Sequence, residues 1–180
     1  MLNDWQGEFG DAYTDRNVYS RHRRKGTFKW LIPKDVSTLL EVGCNRGRNL
    51  DALFDLGFSV FGVEPNVKAY EIAKKRGHIV WNTSVQEMDT SRQFDLVFTC
   101  GVLMHIPDTE LPKAMDTIWQ CATKYALAIE YWGPDEEKEY RGKYGMLWKR
   151  RAYVYPGKLI DTGTLSDRFD HCHYWLYKKL

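Results

Sequence analysis

Short apolar runs alternate along this chain with longer mixed segments whose apolar residues recur at helical spacing. Thr38-Leu39-Leu40-Glu41-Val42 reads as a first strand, Arg48 to Leu56 as a helix, Ser59 to Val63 as a second strand and Val67 to Arg76 as a second helix. The pattern predicts further strands at His78 to Trp81, Phe94 to Thr99 and Tyr125 to Tyr131. A helix between the last two begins near Thr109, where Asp108-Thr109-Glu110-Leu111-Pro112 supplies a cap and an early proline. Two tail segments, Lys158 to Thr162 and His171 to Tyr177, alternate in polarity as strands do. Alternating strands and helices predict an α/β fold with a parallel sheet. The aromatic and basic stretch from Trp5 to Lys29 predicts helices folded over the site. Asp135 to Tyr144, charged and tyrosine-rich after Gly133-Pro134, predicts a loop or insertion.

Composition narrows the class. A chain of 180 residues supports one hydrophobic core, so a single domain is expected. The 43% apolar and 28% charged content is that of a globular protein. No apolar run approaches the roughly 18 residues of a spanning helix, and Asn3, Asp4 and Gln6 interrupt any secretory signal. A cytoplasmic location with no membrane partner is the expectation. Cys44, Cys100, Cys121 and Cys172 are dispersed without a Cys-x-x-Cys pair, which signals reduced thiols rather than a disulfide framework or zinc site. The net charge of +2 disfavours nucleic acid, and the basic runs Arg21 to Lys25 and Lys149-Arg150-Arg151 read as solvated faces or anion contacts.

The most informative segment is the turn Glu41-Val42-Gly43-Cys44-Asn45-Arg46-Gly47 between the first strand and its helix. Small residues there let backbone approach a ligand, and the helix start offers unpaired N–H groups. Glu64, ending the next strand, stands where a carboxylate can accept from both hydroxyls of a ribose. The dinucleotide fingerprint fails, because its second and third glycines would fall on Asn45 and Arg48. NAD is therefore disfavoured.

The turn resembles instead the acidic-x-Gly-x-Gly-x-Gly motif of class I S-adenosylmethionine-dependent methyltransferases, matched by Glu41, Gly43 and Gly47 with Asn45 in place of the middle glycine. Asparagine tolerates a left-handed backbone well, so the replacement is mild. Longer words, Glu8 to Asn17, Phe94 to Ile106 and Tyr140-Arg141-Gly142, resemble the methylase family associated with pseudaminic acid biosynthesis. The resemblance implies a three-layer Rossmann-like fold, a seven-stranded mostly parallel sheet of order 3-2-1-4-5-7-6 flanked by helices, with the last strand antiparallel. It divides the chain into an N-terminal helical lid (1–35), a cofactor-binding core (36–132), a substrate loop (133–157) and C-terminal strands (158–180). Its implied cofactor is S-adenosyl-L-methionine, with S-adenosyl-L-homocysteine as product. Cofactor contacts fall on Glu41, Gly43, Cys44, Asn45, Gly47, Glu64, Ser84, Val85, Cys100 and Gly101, with Tyr13 or Arg16 closing on the amino-acid end. Ser84 stands where many relatives carry Asp, which removes a strong acceptor.

Methyl transfer from a sulfonium asks mainly for alignment and exclusion of water. A general base helps a hydroxyl or ammonium acceptor, and His105, just beyond the fourth strand, suits that role, with a structural histidine as the alternative. Glu130 is a second catalytic or acceptor-binding candidate, or an ion-pair partner of Arg141. Arg141 offers a forked donor for an acidic group, and Tyr131 and Tyr140 add contacts to the acceptor. Trp5, Tyr13, Trp132 and Tyr144 extend a candidate stacking wall, whereas Trp81 and Trp119 read as core. His171-Cys172-His173 places only its two histidines on one strand face, too few for zinc, so no metal is expected. The expected activity is methylation of oxygen or nitrogen on a small polar acceptor such as an acidic or amino sugar. Two alternatives remain open: a methyltransferase acting on nucleic acid or protein, and an inactive cofactor-binding or interaction module. Oligomeric state is not legible.

Overall fold

A computed structural model describes residues 2–18 and 22–180, with the side chains of residues 22 and 23 outside the description. Arg21 and the side chains of the next two residues in the first basic run thus lie outside the described residues. Residues 2–89 and 90–180 pack as two compact units. The first unit opens with three helices, α1 (Leu2–Gln6), α2 (Glu8–Arg16) and α3 (His22–Leu31), followed by β1 (Thr38–Val42), α4 (Arg48–Phe54), β2 (Ser59–Val63), α5 (Val67–Lys75) and β3 (Ile79–Trp81). The strands pair in parallel, β1 with β2 and β2 with β3. Leu39, Leu40 and Val42 of β1 are buried, as a strand covered on both faces requires. Asn66 begins α5 by accepting from the Ala69 N–H at 2.8 Å, the usual service of an asparagine cap.

The second unit contains β4 (Phe94–Cys100), α6 (Leu111–Cys121), β5 (Ala122–Glu130), β6 (Glu136–Tyr140), β7 (Lys143–Lys149), β8 (Lys158–Thr164) and β9 (His173–Lys178). β4 and β5 are parallel, while β9 runs antiparallel to both β5 and β8. Strand order is β3-β2-β1-β4-β5-β9-β8 in a seven-stranded sheet, with β6 and β7 forming a separate two-stranded sheet. Leaving those two out of the count gives the order 3-2-1-4-5-7-6, so the expected Rossmann-like topology is present. No helix among the described residues is long and apolar enough to cross a membrane. The four cysteines are free thiols.

Two expectations need correction. The stretch Asp135 to Tyr144 is not a loop: it belongs to the β6–β7 hairpin, turned through Arg141 (φ 52°) and Gly142 (φ 77°). Two successive left-handed residues make the tight connection that matches strand twist. The cap of α6 is Glu110, within the Asp108 to Pro112 segment that the sequence singled out, and the Asp108 carboxylate accepts from Arg150. The last strand starts at His173 rather than His171, because Asp170 (φ 51°) and His171 (φ 55°) form a left-handed turn. His171 and His173 therefore do not share a strand face, and both nitrogens of His173 meet hydroxyls, of Thr162 at 2.9 Å and Thr164 at 3.0 Å.

Candidate functional site

In the first unit the turn after β1 is shaped by three left-handed residues, Gly43 (φ 73°), Asn45 (φ 46°) and Gly47 (φ 72°). The Gly43 and Cys44 N–H groups donate to the Val63 carbonyl at 2.9 and 3.0 Å, which ties the turn to the end of β2. A side chain on Gly47 would also meet the His78 ring 2.9 Å away. His78 is held by the Asp51 carboxylate, which Arg76 binds as well. Burial would raise the Asp51 pKa, but hydrogen bonds from Arg76 and His78 outweigh it and hold that carboxyl below its usual range.

Glu64 closes over this turn. One carboxylate oxygen accepts from the Asn45 N–H at 2.7 Å and the other from the Asn66 N–H at 2.9 Å. Each oxygen keeps a further lone pair for a ligand hydroxyl. Burial pushes the Glu64 pKa up to about 7 against those two hydrogen bonds. Glu41 is more deeply placed: its Oε1 accepts from Asn49 at 2.6 Å, and Asn49 in turn accepts from the buried Arg24 at 3.1 Å. Burial lifts Glu41 to about 8, and its Oε2, like Asn45 Oδ1, is buried without a hydrogen-bond partner. Arg24, Asn49 and Asn66 were not foreseen; only Asn66, a polar residue just ahead of a helix pattern, had a signal that could reveal it.

The remaining first-unit candidates are unequal. Cys44 turns its thiol toward β2, where a side chain on Gly62 would come within 2.6 Å of the sulfur, so only its backbone is available to a ligand. Burial keeps that thiol well above its ordinary pKa. Ser84 is buried and donates its hydroxyl to Glu87 at 3.1 Å, leaving it an acceptor only, and Val85 is buried beside it. Tyr13 packs edge-on to Trp5 with ring centroids 5.2 Å apart, and exposed Arg16 lies 6.0 Å from its ring. Arg46 donates to the Thr14 carbonyl at 3.1 Å, tying α2 to the glycine turn.

In the second unit the chain leaves β4 through Cys100 and Gly101 (φ 71°), whose N–H donates to Ile129 at 2.8 Å, and then makes a single turn at Leu103–His105. Glu130, 0% exposed at the end of β5, accepts from the Val102 N–H at 2.9 Å and from the Met104 N–H at 3.2 Å. Burial raises it to about 7 despite these bonds. The alternative use of Glu130, an ion pair with Arg141, does not form: Arg141 is an exposed hairpin residue whose guanidinium lies 6.0 Å from the Tyr140 ring. Tyr140 itself packs on His105, with centroids 5.1 Å apart. Tyr131 is half-buried, and burial moves its phenol up to about 12.

His105 is buried and its Nδ1 lies 2.5 Å from the Met146 carbonyl on β7. A carbonyl can only accept, so Nδ1 carries the proton and Nε2, itself buried, holds the lone pair. Burial lowers the imidazole pKa to about 4, which keeps it neutral near pH 7. The second basic run is also revised: Arg150 is buried, not solvated, and donates to backbone carbonyls of the His105 turn.

Comparison with known proteins agrees with this architecture. A family model described as a methyltransferase domain matches residues 15–176. A ubiquinone biosynthesis O-methyltransferase of Bradyrhizobium sp. (strain ORS 278) is 32% identical over 76 residues, 39% of this chain and only 30% of that relative's length. Magnesium protoporphyrin IX methyltransferase from Synechocystis PCC 6803, solved with S-adenosylmethionine bound, superposes with a TM-score of 0.71 at 13% identity, covering 99% of this chain and 95% of that one. CalS10, an amino pentose methyltransferase from Micromonospora echinaspora, gives 0.59 at 22% identity over 70% of this chain and 57% of its own. At these identities the structural likenesses speak for the fold. The family match, spanning almost the whole chain, shows that this protein belongs to the methyltransferase domain family.

Proposed function

We propose that this protein transfers a methyl group from S-adenosylmethionine to a small polar acceptor, with a hydroxyl oxygen of an acidic or amino sugar favoured over nitrogen. The observation that carries the reading is the turn of Gly43, Asn45 and Gly47 capped by the doubly hydrogen-bonded carboxylate of Glu64. The residues fit such a cofactor. Glu64 has acceptor capacity for ribose hydroxyls, and the buried Oδ1 of Asn45 supplies an acceptor suited to an ammonium. Gly43, Cys44 and Gly47 contribute backbone, Ser84 and Val85 border the base, and Tyr13 and Arg16 close on the amino-acid end. The bound cofactor supplies an electrophilic methyl on a sulfonium.

His105 is assigned to accept the proton of the acceptor. A neutral imidazole lowered to about 4 is a weak base, too weak to deprotonate an ammonium beforehand. It suffices for a hydroxyl, because the oxonium formed as oxygen is alkylated is a far stronger acid than imidazolium. Oxygen is therefore the better match for this side chain. Glu130, with both oxygens on backbone N–H groups and no exposed surface, holds the turn that carries His105 rather than touching the acceptor. Tyr131, Tyr140 and Arg141 are assigned to the acceptor. An amino pentose methyltransferase among the structural neighbours is in keeping with a sugar acceptor.

The test is incubation with S-adenosylmethionine and a panel of hydroxyl- and amino-bearing sugars, following S-adenosylhomocysteine and locating the methyl group by mass spectrometry. His105→Gln is expected to lower turnover by about 10²-fold, the lower range for a lost acid-base group, with cofactor Kd unchanged. Unchanged turnover would remove His105 from the chemistry, and failure to bind S-adenosylmethionine would overturn the whole reading.

A further inference from the structure

We infer that Arg150 is a positioning residue that fixes the turn carrying His105, so that the β6–β7 hairpin serves as a mount for that histidine rather than as a free substrate loop. The inference rests on the reading of His105 as proton acceptor.

A buried guanidinium is costly unless its donors are all engaged. Arg150 has five N–H donors, and five hydrogen bonds leave it. Nη1 donates to the Leu103 carbonyl at 3.0 Å and to the Tyr153 hydroxyl at 3.4 Å. Nη2 donates to the Ile106 carbonyl at 2.7 Å and to Asp108 at 2.7 Å, and Nε donates to the same Asp108 oxygen at 3.1 Å. The guanidinium also lies 5.7 Å from the Trp148 ring and 5.8 Å from that of Tyr153. Leu103 and Ile106 bracket His105, so one planar fork grips the carbonyl side of the turn. Glu130 grips the amide side at Val102 and Met104. The Met146 carbonyl then takes the imidazole proton from the same β7 strand that ends beside Arg150.

The backbone of Arg150 is anchored too, bridging to Trp132 and accepting from the Gly133 N–H at 3.3 Å. β7 and the residue that follows it therefore supply the acceptor that sets the His105 tautomer and the cation that holds its turn. Asp108 is a lesser partner, being 80% exposed and thus well screened. A solvated face or an anion contact, the other uses of a basic run, would leave the guanidinium accessible; here it is 8% exposed. Lysine could not replace it, since an ammonium has three donors about a point and cannot span two carbonyls as a fork does.

The experiment uses the full chain and two variants, Arg150→Lys, which keeps charge and length, and Asp108→Ala, which alters only an exposed partner. Long-range 1H–15N spectra read the His105 tautomer, and turnover and cofactor Kd are measured on the same samples. The wild type should show Nδ1–H alone. Arg150→Lys should show a mixture of tautomers and a loss of turnover between about 10- and 10²-fold, the scale set by a displacement of order 1 Å, with cofactor Kd unchanged. Asp108→Ala should show the same pattern more weakly. A single Nδ1–H tautomer with turnover within about twofold of wild type in Arg150→Lys would overturn the inference. If Arg150→Lys does not fold, a tautomer and turnover identical to wild type in Asp108→Ala overturns it instead. Full activity of His105→Gln together with a tautomer shift in Arg150→Lys would sink the proton-acceptor role while leaving the brace intact.

Discussion

At the scale of single residues, Glu64 and Gly47 are where the candidate cofactor turn is most exposed to test. Both oxygens of Glu64 accept from backbone N–H groups, so replacing one with the amide of glutamine sets donor against donor. Glu64→Gln is expected to weaken S-adenosylmethionine binding by about 10- to 10²-fold, the worth of a charged hydrogen bond of ~1.5–3 kcal/mol, as read by isothermal titration. Retained affinity would separate Glu64 from the ribose. Gly47 is constrained twice, by φ 72° and by the His78 ring 2.9 Å from where a Cβ would sit. Gly47→Ala should therefore cost at least about 1–2 kcal/mol in denaturant unfolding, and a loss below that would mean the turn relaxes freely. Asn45 shows why a motif with one glycine missing still works: its φ of 46° lies where asparagine is the best-tolerated non-glycine residue.

At the scale of elements, the β6–β7 hairpin sets conformation against recognition at one side chain. Arg141 sits at φ 52° before Gly142, a turn for which Asn-Gly is the preferred pair. Arg141→Asn should raise hairpin stability by up to about 1 kcal/mol, seen as a higher thermal midpoint, while raising the acceptor KM if its guanidinium binds an acidic group. An unchanged KM would reduce Arg141 to a turn residue. The hairpin also marks where the sequence ceased to be legible. β1 and β2 were readable because short, mostly apolar runs end at turn residues, and the glycine turn between β1 and α4 because its chemistry is local. β6, Glu136–Tyr140, has no buried residue and no apolar alternation, so its charged side chains gave no strand signal. The buried role of Arg150 was hidden for a different reason: its carbonyl partners lie 44 to 47 positions earlier in the chain, and backbone carbonyls leave no trace in residue identity.

At the scale of the whole molecule, buried acids and a buried base of opposite response shape stability against pH. Burial raises Glu41 to about 8 and both Glu64 and Glu130 to about 7, from an unfolded value of 4.5. Between those values the native protein holds protons that the unfolded chain has released, so their contribution is fully present below pH 4.5 and is lost as pH rises through 7 and 8. His105 works the other way. Its pKa falls from 6.5 to about 4, so the unfolded chain gains a proton first and stability is lost as pH drops below 6.5. Above pH 6.5 the unfolded histidine progressively loses its proton too and is silent by about pH 7.5, so its opposition to the three carboxylates fades. The thermal midpoint is therefore expected to decline steadily from pH 6.5 to 8. Glu41→Gln keeps an acceptor for Asn49 and removes the highest of the three pKa values, so it should flatten the decline between pH 7 and 8 in particular. A midpoint that rises across this range, or a slope identical in Glu41→Gln, would mean that Glu41 enters the folded state already ionised and that the Arg24–Asn49 chain stabilises a carboxylate rather than a carboxylic acid.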